Sequence, residues 1–178
     1  MTNTIRFAAL ALGLASVAAV QAQQGPYVGG SLSRVEVRID GLSTAKPTAL
    51  GIRLGSQVSP NFAVEARLGK GIADDSVNNG VNVEIDTYYG LYAKGILPMT
   101  NLFSAYGLLG YSRGEVTASG PGGSVSDWDN DVSYGLGVDF AITKNTTINV
   151  EWARLFKGTI AASNYKVNAL SLGANYRF

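Results

Sequence analysis

Residues 165–178 read YKVNALSLGANYRF. Leu170, Leu172, Ala174, Tyr176 and Phe178 fall on one side of a two-residue period, with Ser171, Gly173, Asn175 and Arg177 on the other. Successive strand side chains point to opposite faces, so the stretch reads as a strand with one apolar, aromatic face and one small, polar face. Asn168 interrupts the apolar side only at its start. A soluble strand that ends by pointing a Phe outward exposes apolar surface at a cost. Facing lipid, the same pattern costs nothing.

Working back along the chain, seven further runs alternate in the same way, with no sustained helical period. Val28, Gly30 and Leu32 oppose Gly29, Ser31 and Ser33, and Leu50, Ile52 and Leu54 oppose Gly51, Arg53 and Gly55. Phe62, Val64, Ala66 and Leu68 oppose Ala63, Glu65 and Arg67. The fourth run sets Val83, Ile85, Tyr89, Leu91 and Ala93 against Glu84, Asp86, Tyr88, Gly90, Tyr92 and Lys94. The fifth, Leu102 to Glu115, is too rich in Gly and aromatics to phase. Val132, Tyr134, Leu136, Val138 and Phe140 then oppose Ser133, Gly135, Gly137 and Asp139, and Ile148, Val150 and Trp152 oppose Asn149 and Glu151.

The connections alternate as well. Those after runs two, four and six are tight turns containing Asn61, Asn101 and Asn145. Those after the odd runs are expected to be long polar loops, among them Arg38 to Lys46, Lys70 to Asn82, Ser119 to Asn130 and Phe156 to Asn164. An even strand number with short turns at one end and long loops at the other is the layout of an outer-membrane barrel. Closure removes the sheet edges, which hydrocarbon does not tolerate. The expected fold is all-β: an eight-stranded antiparallel up-and-down transmembrane barrel. Residues 1–22 read as a cleaved signal peptide and 23–178 as the barrel domain. Arg6 forms the basic start of that signal, Phe7 to Val20 the apolar run, and Val20-Gln21-Ala22 the cleavage site. The apolar run is shorter than the ~20 residues that a spanning helix needs.

Composition excludes much. The chain has 178 residues without Cys or His, which removes disulfides, thiolate chemistry and the usual triads. Without Arg6 it carries 13 basic and 13 acidic groups, so no charge excess points to nucleic acid.

The chain resembles the small eight-stranded OmpA/OmpX-type outer-membrane barrels, also labelled porin-family or outer membrane β-barrel domain proteins. The residues that carry the likeness are Tyr27-Val28-Gly29-Gly30, Ser133-Tyr134-Gly135-Leu136-Gly137, Val150-Glu151-Trp152 and Asn175-Tyr176-Arg177-Phe178. The resemblance implies a bacterial outer-membrane location. It also implies that Leu170, Leu172, Ala174, Tyr176 and Phe178 form the signal read by the barrel-assembly machinery.

The inward face is expected to hold Arg53, Glu65, Arg67, Lys94, Asp139 and Glu151. With the turn centred near Ser59, Arg53 and Glu65 stand opposite each other. An eight-stranded interior is just wide enough for side chains to fill. The six charges therefore form either a satisfied polar plug or a gate in a narrow ion path. Asp127, Asp129 and Asp131 lack the closing bidentate Glu of a known calcium loop and read as solvated charge. Tyr27, Tyr89, Tyr134, Trp152, Tyr176 and Phe178 are expected outside, in interfacial girdles. A lipocalin-like soluble barrel would need apolar residues inside, against the charges on runs two, three and seven. The expected function is a non-enzymatic, cofactor-free and metal-free outer-membrane barrel with a largely plugged lumen. It serves envelope integrity and surface interaction through four outer loops; the alternative is a small pore for ions or solutes. Expected partners are outer-membrane lipid, lipopolysaccharide and the assembly machinery, with the barrel a monomer and no nucleic acid bound.

Overall fold

A computed structural model describes residues 25–39, 44–77, 81–120, 123–160 and 163–178; the signal segment lies outside them. The strands are β1 (Pro26–Ile39), β2 (Thr48–Ser59), β3 (Phe62–Ala73), β4 (Asp75–Val77), β5 (Val81–Pro98), β6 (Phe103–Gly120), β7 (Gly123–Ala141), β8 (Thr146–Ile160) and β9 (Ser163–Arg177). They form one antiparallel sheet in the order β3-β2-β1-β9-β8-β7-β6-β5-β4. The short β4 continues the line of β3 past Asp74, and both pair with β5. That pairing closes an eight-stave barrel. The terminal strand therefore lies beside the first, from Tyr27↔Arg177 to Ile39↔Tyr165.

The tight turns follow from their side chains. Thr100 Oγ1 accepts from the backbone N–H groups of Leu102 and Phe103, and Thr143 Oγ1 from those of Asn145 and Thr146. Such hydroxyls supply the partners a turn would otherwise lack. Asn61 and Asn145 do something further. The Asn61 carbonyl accepts from Ile96 N–H while its Nδ2 donates to Ile96 O, at 2.8 and 3.0 Å. Asn145 repeats this with Arg177, at 2.8 and 2.9 Å. Each asparagine extends the ladder of the next hairpin across a turn.

Four expectations are corrected beyond the membrane band. Ser124 to Asn130 belongs to β7, and β8 and β9 run to Ile160 and from Ser163, so the expected loops 119–130 and 156–164 are mostly paired strand. Lys70 to Ala73 and Asp75 to Val77 are likewise strand. A spanning strand needs ~9–11 residues, while β5, β6 and β7 have 18, 18 and 19. Along residues 123–130 of β7 the described residues are exposed or half-exposed on both faces, so the alternation that marks a strand in sequence vanishes there while backbone pairing continues. The fourth expectation fails through a bulge. A register shift between Ile85 and Tyr88 reverses the phase of β5, which turns Ile85 inward and Glu84 outward.

A second bulge, between Arg154 and Phe156, turns Leu155 and Phe156 inward together. With Val35, Val37, Ile85, Val116, Tyr165 and Val167 they fill the loop half of the interior with an apolar core. The expected polar face therefore describes only the turn half. β6, unphased by sequence, sends Tyr106, Leu108, Ser112 and Val116 inward and Leu109, Tyr111 and Arg113 outward.

Candidate functional site

The lumen is built on glycine–tyrosine pairs, three in the turn half and one, at Tyr88, in the apolar core above it. Tyr27 is directly opposite Gly55, Tyr88 opposite Gly69, Tyr92 opposite Gly110, and Tyr106 opposite Gly137. In each pair a Cβ on the glycine would overlap the tyrosine ring. The glycine thus leaves the space in which the ring lies flat against the wall, covering backbone that has no side chain of its own. Four phenols are brought inside this way. Tyr27 is among them, contrary to its expected place in the outer girdle; it shares the face of Gly29 and Ser31.

Arg53, Glu65, Arg67, Lys94 and Glu151 are all buried in the lumen, and Asp139 is half-buried beside them. Arg67 is the centre. Its Nη1 and Nη2 reach Glu151 at 2.6 and 2.9 Å, while Nε and Nη2 reach Glu65 at 2.8 and 2.5 Å. Its guanidinium also lies 4.7 Å from the centre of the Tyr92 ring. Tyr27 donates to Glu65 at 2.6 Å and Tyr106 to Glu151 at 2.9 Å. Lys94 donates to Asp139 at 2.8 Å, stands 3.8 Å from Glu65 and lies over the Tyr106 ring.

The expected Arg53–Glu65 opposition is not found. The turn centres on Pro60-Asn61 and a shift follows between Gln57 and Ser59, so Glu65 faces Gly55 and Arg53 faces Arg67. Two guanidinium groups directly opposed would repel. Glu151, across the lumen on β8, resolves this: it binds Arg67 and stands 3.6 Å from Arg53, which donates to Asn149 at 2.9 Å. The three-strand arrangement could not be read from one hairpin.

Two aromatic levels mark the outer wall. Phe103 packs on Phe140 and Tyr176 on Phe178 at the turn end, with ring centres 5.2 and 5.5 Å apart. Tyr134 packs on Trp152 and Tyr89 on Trp128 toward the loop end, both at 6.2 Å. Between them Leu32, Ile52, Leu54, Leu136 and Leu172 are exposed to the surroundings. An apolar belt between aromatic girdles is what a bilayer requires of a barrel wall. A model of the outer membrane protein beta-barrel domain matches residues 7–178.

The chain belongs to that family. It is therefore a protein of the bacterial outer membrane, crossing it with strands. Among solved structures, Neisserial surface protein A is similar at 14% identity, covering 86% of this chain and 97% of the other, with a TM-score of 0.68. Ail of Yersinia pestis, solved with the heparin analogue sucrose octasulfate, is 21% identical over 86% and 97% of the two chains, with a TM-score of 0.62. OprG of Pseudomonas aeruginosa gives 15%, 86%, 96% and 0.55. At these identities the likeness is one of fold. No match was found among curated protein sequences.

Sequence reasoning set Tyr88 and Tyr92 on the inward face with Lys94, but put Tyr27 outside and left Tyr106 unphased. A signal was present: a glycine stands at the facing register position in every case, legible once the strand pairing is known. Asp127, Asp129 and Asp131 do not converge. Asp127 caps Trp128 N–H, Asp129 accepts from Tyr165 and Asp131 stands 3.9 Å from Lys157. Among the described residues no group of three acidic side chains is arranged to hold a metal ion.

Proposed function

We propose that this chain is a non-enzymatic outer-membrane scaffold with a shut lumen, whose work is done by its β-walled extension beyond the bilayer. The observation that carries this is the pair of stacked layers inside. The ion-paired layer around Arg67 fills the turn half and the apolar layer around Phe156 and Tyr165 fills the loop half. An ion would have to disrupt buried, ion-paired charges and then cross an apolar plug. Both steps are costly. The lack of any His or Cys leaves no usual nucleophile–base pair, which supports a non-enzymatic role.

Export uses the N-terminal signal, removed after Ala22, and insertion uses the terminal pattern Leu170, Leu172, Tyr176 and Phe178, recognised by the assembly machinery. Lipopolysaccharide is the natural neighbour at the loop end. Arg34, Arg38, Arg113 and Lys166 are exposed there, Arg113 lies over Trp128 and Arg154 over Tyr134. Cations at the upper aromatic girdle suit the phosphates of an anionic outer leaflet. The barrel acts as a monomer, contributing to envelope integrity and surface contact.

The test is conductance of the refolded barrel in a planar bilayer, with folding checked by heat-dependent gel mobility. A silent membrane is expected. Discrete steps that change in Glu65→Gln or Lys94→Met would replace this reading with a gated pore.

A further inference from the structure

The outer wall at the loop end carries its charge unevenly, and the register shows how. Outward residues of neighbouring strands stand in rows. Arg38 on β1, Lys166 on β9 and Lys157 on β8 share one row, as Arg38↔Lys166 and Lys157↔Lys166. The row below holds Glu36, Asn168 and Arg154, with Lys46 beside Glu36 where Pro47 and Ala45 pair with Val35 and Val37. Next come Arg34, Leu170 and Trp152, and then the apolar belt at Leu32 and Leu172.

Like charges set directly opposite on adjacent strands repel, and the upper row is made of cations alone. Nearby carboxylates offset them only in part. Glu36 accepts from Arg38, and Asp131 stands 3.9 Å from Lys157. Arg34, Lys46 and Lys166 have no carboxylate within ion-pairing distance among the described residues. The side chains of Arg38 and Lys157 are 65% and 64% exposed, and Arg34, Lys46 and Lys166 are exposed as well. All of them are open to a ligand arriving from outside. A hollow of about 230 Å³ lies between Arg34, Lys46, Trp152 and Asn168. Across the barrel, β5 and β6 present Glu84, Asp86 and Glu115 against Arg113 at the same end.

We propose that the β8–β9–β1 flank seats the phosphorylated sugar headgroup of lipopolysaccharide, its lipid A end, while the β5–β6 flank does not. One phosphate bridges Arg38, Lys166 and Lys157, and the other enters the hollow between Arg34 and Lys46. Arg34 and Arg38 lie four residues apart on one strand, about 13 Å, a span that phosphates at opposite ends of a disaccharide can cover. The acyl chains run down over Leu170, Leu32 and Leu172, with Trp152 at the level of the headgroup. Cation–phosphate bonds of this kind are charge-assisted, and arginine makes them in pairs. The bound anion also removes the repulsion along the upper row. The inference rests on the reading that the loop end meets the outer leaflet. It narrows lipopolysaccharide from a neighbour on every side to a ligand of one flank.

The test uses the mature chain refolded in phosphatidylcholine nanodiscs. These are doped with lipid A, with its dephosphorylated form, or with phosphatidylglycerol at equal charge, and a further sample is titrated with inorganic pyrophosphate. Backbone amide NMR signals of Arg38 and Lys166 report on one flank and those of Glu84 and Glu115 on the other. Lipid A is expected to shift the first pair saturably and to leave the second in place. The other three probes should bind about tenfold or more weakly, as loss of charge-assisted contacts implies. The double variant Lys157→Gln, Lys166→Gln should weaken lipid A by a similar factor. Its urea midpoint should rise above the parent's in plain phosphatidylcholine, where repulsion is relieved, and fall below it with lipid A. Arg34→Gln provides a second reading if the double variant lacks the heat-dependent gel shift of a folded barrel. Equal shifts on both flanks would reduce the effect to diffuse attraction and overturn the proposal. So would no shift with lipid A, pyrophosphate binding as tightly as lipid A, or unchanged lipid A affinity in the variants. Nanodiscs offer lipid A to both leaflets, so this outcome is independent of the conductance measurement, which alone decides whether the lumen is shut.

Discussion

At the scale of single residues, Glu151 does most to hold the lumen together. It is the counter-charge for two guanidinium groups that the β2–β3 register sets face to face. Glu151→Gln keeps the shape and removes the charge, leaving Arg53 and Arg67 opposed and buried. Breaking a buried pair in this way costs about 3–5 kcal/mol, which urea titration of the refolded barrel would register as an earlier unfolding midpoint. Tyr27→Phe is milder. It removes one donor to Glu65, which keeps Arg67, and a loss of about 1.5–3 kcal/mol is expected for a bond to a charged group. If the two variants unfold at the same urea concentration, the ranking of the network is wrong.

At the scale of strands and turns, the facing of each element has consequences that differ by side. Leu136 is 68% exposed on the lipid wall of β7. Leu136→Arg should destabilise the barrel by about 2–4 kcal/mol if it sits near the midplane, measured by equilibrium unfolding in lipid. One residue further on, Gly137 lies beneath the Tyr106 ring. Gly137→Val should expel that ring and with it the bond from Tyr106 to Glu151, so the unfolding midpoint should fall although the substitution raises strand propensity. A rise would show that the glycine–tyrosine pairs are incidental. The terminal strand adds a kinetic case: deleting Phe178 should lower the surface level in cells more than the stability of refolded protein. Equal loss in both would argue for a packing role alone.

At the scale of the whole molecule, the barrel divides by height into parts that the membrane and water define. The wall within the bilayer is closed by the β1–β9 and β3–β5 pairings, which run from Tyr27↔Arg177 to Ile39↔Tyr165 and from Phe62↔Gly95 to Lys70↔Thr87 and involve neither β6 nor β7. The β6–β7 hairpin above the Val116–Asp127 pair is therefore dispensable for folding. A chain lacking residues 118–125 should still refold and keep its heat-dependent gel shift, while losing whatever surface binding the extension provides. Failure to refold would mean that the extension nucleates the barrel.

The sequence by itself determined the strand number, the closure, the short-turn end and, outside β6, the side of the lipid-facing residues in the membrane band. A bilayer imposes one rule on every outward position, and a two-residue period records it without reference to any partner. The turn asparagines were legible for a similar reason, since their bonds run to the strand immediately beside them. The six charged positions could be named, but their pairing could not. Register depended on the shift between Gln57 and Ser59, and the partner that reconciles Arg53 with Arg67 comes from a strand 84 residues further along the chain. Only the tertiary structure decided that Tyr27 lies inside, that bulges at Ile85–Tyr88 and Arg154–Phe156 fill the loop half with apolar side chains, and that the strands continue into water. A bulge shifts phase by one residue without changing composition, and paired backbone outside the bilayer leaves no hydrophobic signature.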